Sequence, residues 1–391
     1  MRVLLVNNYA RVTGGVDRLC FDLADALRDR GHEVRFLGTD RDPELHLEGA
    51  FPAAPVTHHS REALNLTAQA SVAAQAIWNR TAAAAMRRLL NDFAPHVVYA
   101  HKLYPQLSVA PIAVASRAGV PIVQAVNDYE FISASPEDQH GGPIDRQDSR
   151  ASYRALNTTM FLVRRLVHGR AVRRWVAASH YVVDAHAELG IDCDLIEYFV
   201  PTALSTTNGP DYSERSGALF SGRLVETKGV RDVLALARRL PQLPVTVAGT
   251  GPLSDLVRTE SRELPNLELV EFFGDRDRVL ELARQARVVL VPSRWAEPGG
   301  LVALEAMAVG TPVVAYEQGG LAEYVSGSGA GVVVSTDSAA LSDAAASICG
   351  DPGRWAGLSA RGQHAIRETH SAEHHVERLE RVFATAIAGS R

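Results

Sequence analysis

Glu297 and Glu305 flank a run of small residues in the segment WAEPGGLVALEAMAVGTPVVAYEQGG (295–320). Pro298, Gly299 and Gly300 open a helix there. Its first turn leaves the N–H groups of Gly300, Leu301 and Val302 without intrahelical partners, at the positive end of the helix dipole, which suits a phosphate. Glu305 falls in the second turn, where a carboxylate can accept hydrogen bonds from two vicinal hydroxyls such as those of a ribose. Glu297, ahead of the helix, is free to face a second polar group. Proline at a helix start and glutamate in its first turns also follow from ordinary capping preferences, so the spacing alone leaves both readings open.

A second loop adds cations. In ALFSGRLVETKGV (218–230), Arg223 and Lys228 follow a strand and lie between Gly222 and Gly229. A guanidinium fork and an ammonium at a strand's carboxyl end suit a diphosphate. Alone, the pair reads as two solvated charges; the functional reading gains weight because both loops end strands of one sheet. Gly14 and Gly15, in the first loop of the chain, allow backbone to approach a ligand closely. Neither they nor GTGPLS (249–254) complete a dinucleotide fingerprint, since Ser254 stands where the last glycine belongs. No phosphate-binding P-loop pattern occurs.

The elements that must carry these loops form two series. RVLLV (2–6), the glycine loop, the helix FDLADALRDR (21–30), Gly31 and the strand HEVRFLG make a βαβ unit, hence a parallel sheet covered on both faces. Helices over 68–92, 105–118 and 149–174 alternate with strands at 96–101, 120–126 and 174–180. Residues 201–217, PTALSTTNGPDYSERSG, lack periodicity and read as a linker. A second series runs from 218, with strands ALFSG, VTVAGTG, LELVEFFG, VVLVPS, TPVVAY and 331–335. Its helices lie near 229–240, 252–263, 277–286 and 301–309, and the last helices span 338–348 and 371–388. The expected class is α/β, with a first domain over 1–200, the linker 201–217, a second domain over 218–370, and a final segment 371–391. Ligands of doubly wound sheets sit beyond the carboxyl ends of the strands at the switch point, so chemistry is expected in the cleft between the two sheets.

Composition bounds the partners. The chain has 391 residues, 40 Lys+Arg against 45 Asp+Glu, and a formal net charge of -5, which argues against a dedicated nucleic-acid binder. Cys20, Cys193 and Cys349 form no C-x-x-C pair and read as buried thiols. MRVLLVNNY lacks the long apolar stretch of a secretory signal, and no run reaches the ~18 apolar residues of a membrane span, so a cytoplasmic location is expected. The stretch 150–174 holds arginines at 150, 154, 164, 165, 170, 173 and 174 and no acidic residue. With Phe161, Leu162, Val163 and Leu166 it reads either as a solvated surface helix or as a basic face for peripheral contact with the inner membrane face. His370, Glu373 and His374 share a helical face, but their order is not that of a zinc protease. His101 closes a strand on the cleft side as a candidate ligand contact, and His32 reads as structural. Val376, Ala384 and Ile387 are expected on the buried side of the last helix.

The motifs GGVDR, RGHEV, SGRLVETKG, VAGTGP, PSRWAEPGGLVALEAMAVGTPVVA and GGLAEYV occur in that order, and with them the chain resembles glycosyltransferase family 4. The resemblance implies the GT-B fold, two Rossmann-like doubly wound domains facing across a cleft, with the last helix crossing back to the first domain. It implies a nucleotide diphospho-sugar co-substrate, UDP- or GDP-linked, bound in the second domain. A hydroxyl acceptor (saccharide, lipid-linked or small molecule) would lie in the first. It further implies transfer with retention of configuration and no metal or other cofactor. Arg223 and Lys228 would hold the diphosphate, Glu305 the ribose, and Glu297 would lie by the transferred sugar. Backbone at Gly299, Gly300, Leu301 and Val302 would contact sugar and phosphate, and Gly14 and Gly15 would close over the diphosphate. Glu297, Arg223 and Lys228 are the expected catalytic set. Two positions depart from the family pattern. Gly299 stands where a phenylalanine is usual, and Asn127, in Asn127-Asp128-Tyr129, stands where relatives often carry histidine. Asn127 can donate and accept hydrogen bonds but cannot gain a proton near neutral pH, and is retained as a substrate contact. Rival readings are a nucleotide-sugar epimerase or sugar phosphorylase on the same fold, and a nucleotide-binding protein with weak or no transfer activity.

Overall fold

The computed structural model describes residues 1–53, 66–134, 151–205, 209–271 and 274–389. The first series builds β1 (Arg2–Tyr9), α1 (Gly15–Asp29), β2 (Glu33–Thr39), β3 (Gly49–Ala50), α2 (Leu66–Ile77), α3 (Arg80–Phe93) and β4 (Val97–Ala100). It continues with α4 (Ala110–Arg117), β5 (Ile122–Val126), α5 (Ala151–Ala171), β6 (Val172–Ala177), α6 (His180–Ala187) and β7 (Cys193–Leu195). All its strand pairings are parallel, in the order β3-β2-β1-β4-β5-β6-β7. The β1 interior is buried on both faces, which is why its apolar residues run continuously rather than alternate.

The segment 201–217 carries one short helix, α7 (Thr202–Ser205), and a 3₁₀ turn at Tyr212–Glu214. The second series is β8 (Ala218–Ser221), α8 (Val230–Arg239), β9 (Val245–Ala248), α9 (Ser254–Glu263), β10 (Leu267–Val270), α10 (Arg276–Gln285), β11 (Val288–Val291) and α11 (Leu301–Ala308). Then come β12 (Val313–Tyr316), α12 (Gly319–Ser328), β13 (Gly331–Val334), α13 (Ser338–Gly350), α14 (Pro352–Glu368) and α15 (Ala372–Ala388). This sheet is also parallel, in the order β10-β9-β8-β11-β12-β13.

Several elements differ from the sequence expectation. The helix expected over 68–92 is two helices, because the Asn79 side chain caps a new start. Its Oδ1 accepts the Ala82 N–H at 3.0 Å while its Nδ2 donates to the Gln106 carbonyl at 2.8 Å. Helices α6, α12 and α14 and strand β7 were not expected. In α12 and α14 the glycines depress helix propensity, and burial overrides it, of α12 against the second sheet and of α14 against neighbouring helices of the second domain. The last helix does return to the first sheet: the Phe383 ring meets the Tyr99 ring edge-on at 5.4 Å, and Glu380 pairs with Arg30 and His32. Its buried face is Val376, Leu379, Val382, Phe383 and Ala386. Ala384 is exposed and Ile387 half-buried, because Ala384 lies one residue off the 3.6-residue period set by Val376 and Phe383.

Candidate active site

The first sheet reverses its order between β1 and β4, the second between β8 and β11. The loops at these two switch points are the ones that carry Gly14, Gly15 and His101 on one side and Arg223, Lys228 and Glu297 on the other. Each loop is held by specific local bonds.

After β8, the Leu224 N–H donates to the Thr250 carbonyl at 2.9 Å, so the GTG turn after β9 serves as a shelf for the Arg223 loop. A 3₁₀ turn, Glu226–Lys228, ends at Gly229, whose φ is 72°. A Cβ at Gly229 would stand 2.0 Å from the Pro292 carbonyl oxygen, so only glycine lets this loop lie against the end of β11. From the β11 side, the Arg294 N–H donates to the Thr227 carbonyl at 2.8 Å, and the Arg294 guanidinium forks onto Asp232 with two 2.7 Å bonds. The outcome is a direct bond from Lys228 Nζ to Glu297 Oε1 at 2.7 Å, with Ser293 Oγ donating to the same oxygen. Arg223 is exposed and its side chain has no partner among the described residues.

Helix α11 starts at Gly300 with no side-chain cap, leaving its first-turn N–H groups open to a ligand. Glu305, only 9% exposed, accepts a bond from Arg276 Nε at 2.7 Å. The same guanidinium reaches across the cleft, Nη1 to Asp22 Oδ2, at 2.8 Å. Burial pushes the Glu305 and Asp22 carboxyls above their usual range, and Arg276 pulls both back.

The first half closes from the other side. Asp17 folds the glycine loop by accepting from the Thr13 N–H and from Asn7 Nδ2, both at 2.8 Å, and from the Thr13 hydroxyl. A Cβ at Gly15 would lie 3.0 Å from Leu301 Cδ1, so the loop rests on the start of α11, while Gly14 faces open space. The Tyr129 hydroxyl donates to the Ala296 carbonyl at 2.7 Å and Ser179 Oγ to the Pro298 carbonyl at 2.8 Å. These two bonds tie the Glu297 loop to the opposite sheet.

Comparison with known proteins matches the description Glycosyltransferase Family 4 over residues 13–202 and Glycosyl transferases group 1 over residues 210–364. Glycogen synthase of Mycobacterium tuberculosis is 30% identical over 389 residues, covering 90% of this chain and 87% of that protein. The chain belongs to glycosyltransferase family 4. Among solved structures, sucrose-phosphate synthase of Thermosynechococcus elongatus superposes with a TM-score of 0.72 at 17% identity, covering 99% of each chain. Anabaena HepE in complex with UDP gives 0.69 at 15%, covering 98% of this chain and 100% of that one. These two likenesses speak to the fold, which is GT-B.

Within this family 4 glycosyltransferase, the remaining expected residues divide. Asn127 closes β5, and its Oδ1 accepts from the Tyr198 hydroxyl at 3.2 Å. His101 is 3% exposed, ring to ring with Tyr99 at 4.6 Å, and neither ring nitrogen has a partner among the described residues. Burial, with His375 nearby, drives its pKa down to about 3, so the ring stays neutral. Four arginines of the basic stretch are engaged by the fold, while Arg154 and Arg170 are exposed. Arg164 bonds the Glu130 carbonyl at 2.6 Å, Arg165 the Phe131 and Leu189 carbonyls, Arg173 the Gly389 carbonyl, and Arg174 pairs with Asp194. Leu162 and Leu166 are exposed at 59% and 53%; Arg150 lies outside the described residues. His370 and His375 donate from Nδ1 to the Tyr198 and Glu197 carbonyls, and no cluster suited to a metal occurs among the described residues. The three cysteines are buried, with burial pushing Cys193 up to about 12 and Cys349 up to about 11. No described helix is long and apolar enough to cross a membrane. Sequence reasoning missed Asp22, Arg276 and Tyr198, which lie outside the quoted motifs, and Ser293, which lies inside one but ahead of Glu297.

Proposed function

We propose that this glycosyltransferase moves a sugar from a nucleotide diphospho-sugar to an acceptor hydroxyl, with retention at the anomeric carbon. One juxtaposition carries the reading. The cationic loop ending in Lys228, the uncapped start of α11 and the buried carboxylate of Glu305 stand together at one switch point. That sequence of groups fits a diphosphate followed by a ribose. In this reading residues 218–370 hold the donor and residues 1–200 the acceptor, with 201–217 linking them and 371–391 packing back. The bond from the anomeric carbon to the diphosphate oxygen breaks, and negative charge grows on that oxygen. Arg223, Lys228 and the N–H groups of Gly300, Leu301 and Val302 face that charge without a metal. The acceptor oxygen bonds to the anomeric carbon from the same face, and its proton passes to the departing phosphate oxygen. Glu297 fixes the Lys228 ammonium and lies by the sugar. A UDP- or GDP-sugar is the donor proposed first, and the UDP held by the HepE neighbour supports the former.

A thermal-shift panel of UDP, GDP, ADP, dTDP and CMP tests this. A ligand at 100 times its dissociation constant stabilises by about 2.7 kcal/mol, well within detection. One nucleoside diphosphate is expected to raise the wild-type melting temperature, and to shift Lys228→Ala far less. Silence from every nucleotide and from the corresponding sugar nucleotides would sink the donor assignment.

A further inference from the structure

Gly299 has no space for a side chain. An added Cβ would stand 2.7 Å and 2.8 Å from Tyr198 Cδ2 and Cε2, and 3.1 Å from the Tyr324 hydroxyl. Tyr198 is fixed in that hollow from both ends of its own peptide. Its N–H donates to the Tyr324 hydroxyl at 2.9 Å, and its carbonyl lies 2.9 Å from His370 Nδ1. Its hydroxyl donates to Asn127 Oδ1 at 3.2 Å. The two positions at which this chain departs from the family pattern therefore meet through one ring: Gly299 admits it, and Asn127 receives its hydroxyl.

Asn127 carries a second observation. Its Nδ2 is buried and has no partner among the described residues. A buried donor without an acceptor is costly, and such groups in native proteins generally have an unseen partner. The amide's oxygen and nitrogen diverge from one carbon, so a hydroxyl that engages Oδ1 also fixes the direction of the N–H groups. Tyr198 acts as the donor here because burial, with Asp128 and Glu297 nearby, pushes its phenol pKa up and keeps it protonated.

Resting on the donor reading above, we propose that Tyr198 is a positioning residue for sugar recognition. It fills the hollow at Gly299 and orients Asn127, whose Nδ2 donates to a hydroxyl oxygen of the transferred sugar. The chain thereby selects a donor sugar with an acceptor oxygen facing the end of β5.

Calorimetric binding of UDP against UDP-glucose, and of GDP against GDP-mannose, separates the sugar's contribution from the nucleotide's and needs no acceptor. Tyr198→Phe keeps the ring and loses the hydroxyl. It is expected to weaken sugar-nucleotide binding about fivefold, the scale of one hydrogen bond, and to leave nucleoside-diphosphate binding unchanged. Asn127→Ala should lose a similar factor, and the double variant no more than Asn127→Ala alone, because Tyr198 acts through the amide. Gly299→Ala pushes the ring off its seat and should reproduce the loss even if Tyr198→Phe folds poorly. Additive losses, an unchanged sugar increment, or an equal loss for the bare diphosphate would overturn the inference while leaving the donor site standing. A wild-type protein that binds no nucleoside diphosphate would overturn the donor reading and this inference together.

Discussion

Arg276 is the residue on which the two halves of the cleft share a charge. It lies between Glu305 on α11 and Asp22 on α1, all three side chains nearly buried. Each carboxyl alone would be driven toward its neutral form by burial, and the guanidinium opposes this at both, as the ribose contact proposed for Glu305 requires. Replacing Arg276 by Leu leaves two buried carboxyls without a counter-ion, a change that costs about 3–5 kcal/mol when a buried pair is broken. Glu305 would then be ionised only as pH rises past its raised pKa. The acid side of the nucleotide-affinity profile of Arg276→Leu is therefore expected to lie at higher pH than that of the wild type. Isothermal titration of both proteins across pH checks it, and superimposable profiles would remove Arg276 from this role. Glu297, Arg223, Lys228 and Glu305 were legible in the sequence because each belongs to a short local pattern. Arg276 and Asp22 were not, since their pairing exists only once α1 of one sheet meets α10 of the other. Tyr198 was hidden for the same reason: the absence of a side chain at Gly299 is visible in the sequence, but not the ring that takes its place.

At the scale of elements, the positions of most strands and helices follow from apolar runs punctuated by glycine. The sequence could not show what tertiary contacts decide. Asn79 divides an unbroken alanine-rich pattern into α2 and α3 because its amide finds both the Ala82 N–H and the Gln106 carbonyl. Asn79→Ala is expected to destabilise by about 1–2 kcal/mol through the lost cap, read as a lower denaturant midpoint with nucleotide binding retained. Gly229 makes the opposite kind of prediction. Its φ of 72° and the 2.0 Å approach of the Pro292 oxygen mean that Gly229→Ala must displace the loop that carries Lys228. Nucleoside-diphosphate affinity is expected to fall by at least tenfold, roughly the 1.4 kcal/mol equivalent, on the same titration that leaves Asn79→Ala unaffected. Equal behaviour of the two variants would mean that the loop tolerates displacement and that its glycine is merely conformational. Helices α12 and α14 escaped the sequence reading because their glycines weaken the local signal, whereas their buried faces, Leu321 and Val325 in one and Trp355, Leu358 and Ile366 in the other, are supplied a surface only by the folded second domain.

For the molecule as a whole, buried titratable groups set how its stability responds to pH. His101 and His168 are held near a pKa of about 3 and His375 near about 4, and His370 is also lowered, each first of all by burial. The unfolded chain takes up protons on these rings below their ordinary value of 6.5 while the folded chain does not. Stability is consequently lost as pH falls from there, by up to about 1.4 kcal/mol per pH unit for each ring. Glu130 works against this. Burial and then Asp128 push its carboxyl up to about 7 from an ordinary 4.5, so the folded state binds the extra proton between those values. Its contribution declines as pH rises through that window. At pH 7 each of the four histidines is still about a quarter protonated in the unfolded chain, so together they outweigh the proton held by Glu130 across this whole range. Stability is therefore expected to rise with pH, steeply below 6.5 and then levelling off above pH 7, with Glu130 shallowing the slope. Glu130→Gln should make the rise steeper, because the opposing proton uptake is gone and the amide oxygen can still accept from Arg164. Denaturant unfolding of both proteins from pH 4.5 to 8 measures this directly. Parallel curves for the two would show that Glu130 is ionised in the fold, paired to Arg164 at 3.4 Å, and that the acid limb belongs to the histidines alone.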